Sequence, residues 1–260
     1  FDRIEVRHGD TFEVPRGGGT GGSKSLQVGG SAVWEAGEAV VADAKQLAAD
    51  LLEANPDDIV LDTERGAFSV VGSPAITTGW ADVAARADAD RGEPLRAEAD
   101  FQPPGATFPF GVHLSVIEID RDTGQVTILR HIACDDAGTM VNPLLVEGQV
   151  HGGVASGIAQ ALMEEFAYDA DGNPVTANLM DYPLVSAAEL PSFERIPQET
   201  PTPRNPLGAK GIGESGTIGV PAAVVNAVLD ALEPFGVTEL DTPLSPHRVW
   251  EALRRAGAKE

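Results

Sequence analysis

The chain has 260 residues, 42% of them hydrophobic, a composition that excludes a disordered or fibrous protein. Its 18 Lys and Arg against 40 Asp and Glu give a formal charge of −22, which excludes binding to nucleic acid or to an anionic membrane surface. Its single cysteine, Cys134, excludes an internal disulfide and an iron–sulfur cluster held by this chain alone. We see no signal segment and no apolar run near the roughly 18–20 residues of a membrane span, so we expect a cytoplasmic protein.

The first part of the chain contains a glycine-rich segment followed by a helix. Alternating polar and apolar residues at positions 3–7 predict a short strand, and a glycine block follows at 17–22. Residues 31–55 have apolar side chains at helical spacing, with Ser31 as the expected N-cap and Asn55-Pro56 as the expected stop.

A small hairpin and a second helix complete this part. The runs DDIVLD and GAFSVV predict two strands around Arg65-Gly66, and the pattern from residue 78 onward is helical before it becomes polar and acidic. The chain is then interrupted at Pro103-Pro104-Gly105. We therefore divide it into regions 1–105 and 106–260.

The second part mixes strands and helices. HLSVIEID and VTILRHIACD, joined by Asp-Thr-Gly, predict a hairpin, and Asn142-Pro143 begins a helix so rich in Gly and Ala that another surface must approach its backbone. Short strands are expected around YDADGNPVT, and GIGESGTIGVPAAVVNAVLDAL predicts a glycine loop leading into an apolar helix. Since no βαβαβ rhythm is present, we predict an α+β fold in two subdomains.

Two glycine segments match the loose dinucleotide-binding pattern, at 17–22 and 211–216. Neither lies between a strand and a helix of a βαβ unit, so a Rossmann site is disfavoured. The segment Gly17–Ser25 also approaches a phosphate loop, but Ser23 separates the second glycine from Lys24. A nucleotide-binding protein using this loop stays an alternative, because backbone N–H groups in such a turn suit an anion.

Glu214 and Gln149 are the polar residues of most interest, because both are surrounded by glycines. Glu214 is either a general base that substrate can approach closely, with a pKa tuned by burial, or a helix N-terminal carboxylate favoured by the helix dipole. Gln149 either reads the polar edge of a cofactor or packs between helices. The residues alone do not choose between these roles.

The other polar candidates carry less information. The five histidines are scattered, and none has the spacing of a metal-binding pair. Asp135 and Asp136 are adjacent, so on a strand their side chains point apart, and we expect a turn or helix-cap role before Gly138.

Five stretches, taken together and in order, resemble the molybdenum hydroxylases, the family of xanthine dehydrogenase, aldehyde oxidase and aerobic carbon-monoxide dehydrogenase. The likeness is to the C-terminal part of the molybdopterin-binding large subunit. It rests on GDTFEVPRGGGTGGSKSLQVGGSAV, PFGVHLSVIEIDRDTGQV, DDAGTMVNPLLVEGQVHGGVASGIAQAL, MDYPL and NPLGAKGIGESGTIGVPAAVVNAV. It implies an aldehyde-oxidase-type fold with mixed sheets packed by helices.

The resemblance also implies roles for individual residues. Glu214, in the family's GxKGxGE pattern, would be the catalytic base, and no protein side chain would bind the molybdenum, which the pterin holds. The cofactor would be molybdenum–molybdopterin in its cytosine dinucleotide form. Both glycine loops would wrap it, so we expect them to converge in space. The residues that the resemblance places at this cofactor are Thr20, Gly21, Gly22, Ser23, Lys24, Ser25, Gln149, Lys210, Gly211 and Gly213.

The resemblance further implies partners. Electrons would leave through [2Fe–2S] and FAD groups on an iron–sulfur small subunit and an FAD medium subunit, in a dimer of heterotrimers. Motifs of the family's N-terminal half, Phe-Gly-Gly and GQGH, are not in this sequence, which opens FDRIEV without Met. We therefore expect a fragment or one half of a split subunit, with substrate choice (an aldehyde, an N-heterocycle or carbon monoxide) made mainly elsewhere. The alternative is a non-catalytic assembly module of the same fold.

Overall fold

In the computed structural model, which describes residues 4–14 and 16–257, the chain forms two compact units. The larger unit contains the residues up to Leu26, Gly105–Arg204 and the residues from Gly208 onward, and the smaller contains Gln27–Pro104 and Asn205–Leu207. The residues up to Leu26 thus group with the C-terminal part of the chain, an association that spacing along the sequence does not reveal. The functional division into regions 1–105 and 106–260 stays a prediction.

The smaller unit packs two helices with a three-stranded antiparallel sheet in the order β1-β2-β3. Its core combines alanines of the first helix with Phe68, whose ring meets Trp80 edge to face at 4.8 Å. The predicted hairpin around Arg65-Gly66 is confirmed as the β1–β2 pair. The elements are α1 (Ser31–Leu52), β1 (Ile59–Asp62), β2 (Ala67–Val70), β3 (Ser73–Gly79) and α2 (Trp80–Arg91).

Both predicted ends of α1 are wrong in detail. A π-helical segment, Leu26–Gly30, runs directly into α1, so Ser31 lies inside a continuous helix and is not its N-cap. At the other end Glu53 adopts a left-handed conformation with φ of 49° and ends the helix before Asn55. The Asn55 side chain instead accepts a hydrogen bond from Asp57 N and caps the following 3-10 turn.

The larger unit contains a three-stranded mixed sheet in the order β4-β5-β6. The first two strands form the predicted hairpin and are antiparallel, whereas the third pairs parallel to the second. The elements are β4 (Gly111–Ile119), β5 (Val126–Asp136), α3 (Pro143–Leu162), β6 (Phe193–Gln198), α4 (Ser215–Leu232) and α5 (Pro246–Arg255).

Helices α3 and α4 pack backbone to backbone, as the glycines of α3 predicted. A Cβ atom on Gly216 would lie 2.6 Å from Val154 N, and one on Gly157 would lie 2.6 Å from Val220 Cβ. Only glycine permits this approach. This close packing holds the start of α4, which directly follows Glu214, against the middle of α3.

The expectation that no apolar run approaches the length of a membrane span is wrong for α4. The segment Ser215–Phe235 is long and apolar enough to cross a membrane by length and composition. Yet Val220, Val224, Val228 and Leu232 are buried in the core of the larger unit. Core packing therefore accounts for part of its apolar sequence, since 28% of the segment's apolar window is buried.

Two other predicted strands are wrong. Residues 4–7 are exposed and belong to no strand, and position 3 lies outside the described residues. Around YDADGNPVT there is a single bridge, between Tyr168 and Pro174. Asp169 Oδ1 accepts hydrogen bonds from Asp171 N and Asn173 N, which closes an exposed turn in place of a ladder.

Candidate functional site

The two glycine loops meet in space, as predicted, although they are far apart in the chain. Ser23 Oγ donates a hydrogen bond of 2.9 Å to Glu214 Oε2 across 191 residues. A Cβ atom on Gly213 would lie 2.9 Å from Ser23 Oγ and 3.1 Å from Gln149 Oε1. Three segments of the larger unit therefore converge: the first glycine loop, the first turns of α3 and the loop before α4.

The first glycine loop is exposed and leaves open space around its backbone. Gly19, Gly22 and Ser23 have positive φ angles of 68°, 72° and 54°. No atom lies within 4 Å of a Cβ placed on Gly21 or Gly22. Such a chain of small residues lets a ligand reach backbone N–H groups.

The rest of this loop closes on itself. Thr20 Oγ1 and Ser25 Oγ are 3.0 Å apart, and Lys24 N donates to Thr20 O at 3.4 Å. The Lys24 side chain is exposed. Thr20, Lys24 and Ser25 therefore shape the turn that presents Ser23, and their predicted contacts with a cofactor stay predictions.

Glu214 occupies the N-cap position of α4, but its side chain does not cap the helix. Its backbone carbonyl accepts from Ile218 N at 3.1 Å, while its carboxylate turns to Ser23. The residue is exposed in this chain, so the expected burial of the carboxylate is not met. Glu214 thus combines features of both predicted roles: it lies at a helix N-terminus, and its carboxylate is directed at Ser23 and not at the helix end.

Gln149 lies on the exposed face of α3, next to two glycines. Cβ atoms on Gly148 and Gly152 would meet nothing within 4 Å, so this stretch of helix backbone is open. Gly153, four residues after Gln149 and so on nearly the same face of the helix, packs against Gly216 of α4. The Gln149 side chain is exposed on this open side of the site, and its Oε1 lies beside Gly213 in the loop before α4.

Lys210 points away from this open side. Its Nζ donates to Asp136 Oδ2 at 2.5 Å and lies 5.3 Å above the Phe110 ring. Its side chain is only 9% exposed and that of Asp136 is fully buried. Gly211 is buried as well.

The expected turn role before Gly138 is confirmed for Asp136, whose Oδ1 accepts from Gly138 N at 3.0 Å, but not for Asp135, which bonds His113 instead. Both are the last residues of β5 and both are buried. Burial would raise the pKa of Asp136, but hydrogen bonds from Lys210, Gly138 and Thr200 outweigh this effect and hold that pKa below its usual value. Asp136 thus stabilises the turn after β5 as an ionised group.

Asp135 ends a buried polar chain that the sequence did not reveal. His113 Nε2 lies 3.1 Å from Asp135 Oδ1, His113 Nδ1 lies 3.2 Å from His131 Nε2, and His131 Nδ1 lies 2.8 Å from Ser115 Oγ. Burial and the neighbouring His113 lower the pKa of His131 to about 4. All three hydrogen bonds are satisfied when Ser115 donates to His131, His131 Nε2–H donates to His113, and His113 Nε2–H donates to Asp135.

These two histidines are far apart in the sequence, and only the register of the paired strands brings them together. His113 and His131 lie on facing strands of the β4–β5 hairpin, and His113 fills the space that a side chain on Gly219 of α4 would need. Within residues 4–14 and 16–257, no group of three or more His, Cys, Asp and Glu side chains is arranged to hold a metal ion.

Of the predicted site residues, the structure brings together Ser23, Gln149, Gly213 and Glu214.

Comparison with known proteins places this chain in a family. A model described as the molybdopterin cofactor-binding domain matches residues 1–191. The carbon monoxide dehydrogenase large chain of Hydrogenophaga pseudoflava is 41% identical over 255 residues, 96% of this chain and 32% of that protein. Subunit gamma of the 6-hydroxypseudooxynicotine dehydrogenase complex of Paenarthrobacter nicotinovorans is 40% identical with the same coverage.

The fold agrees with the sequence. A chain in the crystal structure of a Cu,Mo-CO dehydrogenase in its carbon monoxide reduced state matches all of this chain, with a TM-score of 0.91 and 35% identity, over 33% of its own length. This likeness confirms the predicted α+β fold. The present chain spans about a third of the length of the curated relatives that it matches. It belongs to the molybdopterin cofactor-binding domain family, within the large subunits of the molybdenum hydroxylases.

Proposed function

We propose that this chain supplies the general base of a molybdenum hydroxylase, and that the base is Glu214. The observation that carries the proposal is the contact between Ser23 and Glu214 beside Gly213 and Gln149. It places one carboxylate where three segments of open, glycine-rich backbone converge. A helix cap would need neither the remote serine nor the open surroundings.

The residues at this site fit a large, polar, anionic cofactor such as molybdopterin. Gly21 and Gly22 have open space on the side where a Cβ atom would lie, so their N–H groups can be approached closely. The Gln149 amide offers both a donor and an acceptor on the same open side. We assign Gly21, Gly22, Ser23 and Gln149 to holding the cofactor, in its cytosine dinucleotide form. When bound, molybdenum–molybdopterin supplies the two-electron oxidation of substrate with oxygen derived from water.

The part played by Glu214 follows from its hydrogen bond. Ser23 donates to Oε2, which orients the carboxylate, and we assign Oε1 as the oxygen that accepts a proton. Gly213 leaves no side chain between the carboxylate and an incoming substrate. Proton acceptance by a positioned carboxylate typically accelerates a reaction by about 10²–10⁴-fold.

The assembly that we propose follows from the family resemblance, which implies [2Fe–2S] and FAD groups on partner subunits in a cytoplasmic dimer of heterotrimers. The single cysteine supports one part of it, because Cys134 alone cannot hold an iron–sulfur cluster. The N-terminal half of the molybdopterin subunit completes the pocket. The relatives' names specify carbon monoxide in one case and 6-hydroxypseudooxynicotine in another. We propose, from the family resemblance, that the substrate is an aldehyde, an N-heterocycle or carbon monoxide.

Replacing Glu214 by Gln in the assembled enzyme tests the proposal. Turnover collapses with cofactor retained if Glu214 is the base. Wild-type turnover in this variant would favour a non-catalytic assembly module.

A further inference from the structure

The loop that carries Glu214 is tied to the end of β5 by its backbone. Lys210 N donates to Ala137 O at 2.9 Å, and Thr139 N donates to Gly208 O at 2.9 Å. Gly138 and Ala209 form a β-bridge between the two segments. The loop 208–214 therefore lies alongside the turn 137–139 at one end and enters α4 at the other.

The buried side chain of Asp136 joins the same two segments. Asp136 Oδ1 accepts from Gly138 N at 3.0 Å and from Thr200 N at 2.7 Å, and its Oδ2 accepts from Lys210 Nζ. A single carboxylate thus connects β5, the turn after it, the segment after β6 and the loop that ends at Glu214.

This contact is a poor candidate for either cofactor binding or simple stabilisation. The Lys210 ammonium is turned into the interior and bonded to Asp136, so it is not directed at a ligand on the open side. A buried ion pair also contributes little net stability, because the cost of removing both charges from water offsets their attraction. What it does provide is a fixed geometry, since either charge left alone in the interior would be costly.

We propose that Asp136 and Lys210 are a positioning pair that holds the loop 208–214 so that Glu214 faces its substrate. The inference rests on the proposed function of Glu214 and reassigns Lys210 from binding the cofactor to positioning the base. The pair acts through Glu214 and touches neither cofactor nor substrate.

The test compares Lys210→Met with the double variant Asp136→Asn/Lys210→Met in the assembled enzyme. The single variant leaves a buried carboxylate without its cation, so its melting temperature and its kcat both fall. In the double variant no buried charge remains, and the oxygen of the introduced amide keeps the bonds to Gly138 and Thr200. Its melting temperature therefore recovers in part, because the unpaired N–H groups of the buried amide cost less than an unpaired buried charge. Its kcat stays about 10–100-fold low with KM and molybdenum content unchanged, because a small displacement of a catalytic group costs up to about 10²-fold.

Hydrogen exchange gives a readout that does not depend on activity. Amides of residues 208–214 exchange faster in the double variant than in the wild type, whereas those of α4 beyond its first turn do not. Arg130→Met is the matched control, since it breaks an exposed ion pair with Glu194 in the same sheet and leaves kcat and loop exchange unchanged.

Recovery of kcat together with the melting temperature in the double variant, or unchanged loop exchange, would overturn the positioning role. Failure of the proposed function has a different signature. If Glu214→Gln keeps wild-type turnover, Glu214 is not the base; if Glu214→Gln is inactive while the double variant keeps wild-type kcat, only the positioning pair is wrong.

Discussion

Ser23 and Glu214 form a hydrogen bond of 2.9 Å although 191 residues separate them. Ser23 reaches the carboxylate from a turn in which it adopts a positive φ angle of 54°, a conformation that costs energy for a residue other than glycine. The contact joins the first glycine loop to the start of α4. Substitutions in either loop can therefore test whether the two loops form one site.

Glu214→Gln keeps the size and hydrogen-bonding reach of the side chain but removes its ability to accept a proton. We expect turnover in the assembled enzyme to fall by roughly 10²–10⁴-fold with molybdenum content unchanged. Steady-state rates with carbon monoxide, an aldehyde and an N-heterocycle, measured with an artificial electron acceptor, check this. Glu233→Gln, at the other end of α4, is the matched control and should leave the rate unchanged. A loss of only about 0.3–1 kcal/mol of stability with near-normal turnover would instead identify Glu214 as a helix-terminal carboxylate.

Ser23→Ala and Ser23→Gly separate the hydroxyl from the backbone strain. Both remove the hydrogen bond to Glu214, so both should lower kcat by about 10–100-fold, the range expected for a hydrogen bond to a charged group. Only the glycine variant relieves the positive φ angle, so it should melt at a higher temperature than the alanine variant. Wild-type turnover in both variants would show that Ser23 does not position the carboxylate.

The close packing of α3 against α4 predicts opposite effects of two Gly→Ala changes. Gly216→Ala would place a methyl group 2.6 Å from Val154 N, and we expect it to destabilise the protein by roughly 1–3 kcal/mol. Gly37→Ala lies in the interior of α1, where nothing is within 4 Å, and should stabilise the protein by roughly 0.5–1 kcal/mol. Thermal unfolding measures both, and equal shifts would contradict the packing described above.

The buried His131 predicts a loss of stability in acid. Its pKa is about 4 in the folded protein and 6.5 in the unfolded chain, so between these values only the unfolded chain binds the proton. The contribution is fully present above about pH 6.5 and is lost as the pH falls to about 4, by at most on the order of 3 kcal/mol. His131→Gln should flatten this dependence in unfolding measured across that range, whereas His247→Gln, at an exposed position, should not.

Cofactor retention tests the proposed need for the rest of the subunit. We expect the 260-residue chain alone to bind less than stoichiometric molybdenum, because its candidate site is open and exposed. Copurified with the N-terminal half and the partner subunits, it should retain molybdenum, as measured by elemental analysis. Stoichiometric molybdenum on the isolated chain would contradict this view.

The local patterns in the sequence were sufficient for most elements and for the family. Alternating β-branched residues around Asp-Thr-Gly predicted the β4–β5 hairpin, and Asn142-Pro143 marked the start of α3, because turn chemistry and helix caps are decided by neighbouring residues. The order of the motifs that the chain shares with the molybdenum hydroxylases also predicted that Ser23 and Glu214 lie in one site. The start of α1 was missed because an unusual π-helical turn precedes Ser31.

Only the tertiary structure decided which way the polar side chains point. In the sequence, Asp135 and Asp136 are two adjacent acids before a glycine, and Lys210 is one more residue of a glycine loop. Strand register sets His113 against His131 and Asp135, and the return of the chain after β6 brings Lys210 to Asp136. These contacts depend on long-range pairing and burial, which the sequence spacing of 74 residues between Asp136 and Lys210 does not encode.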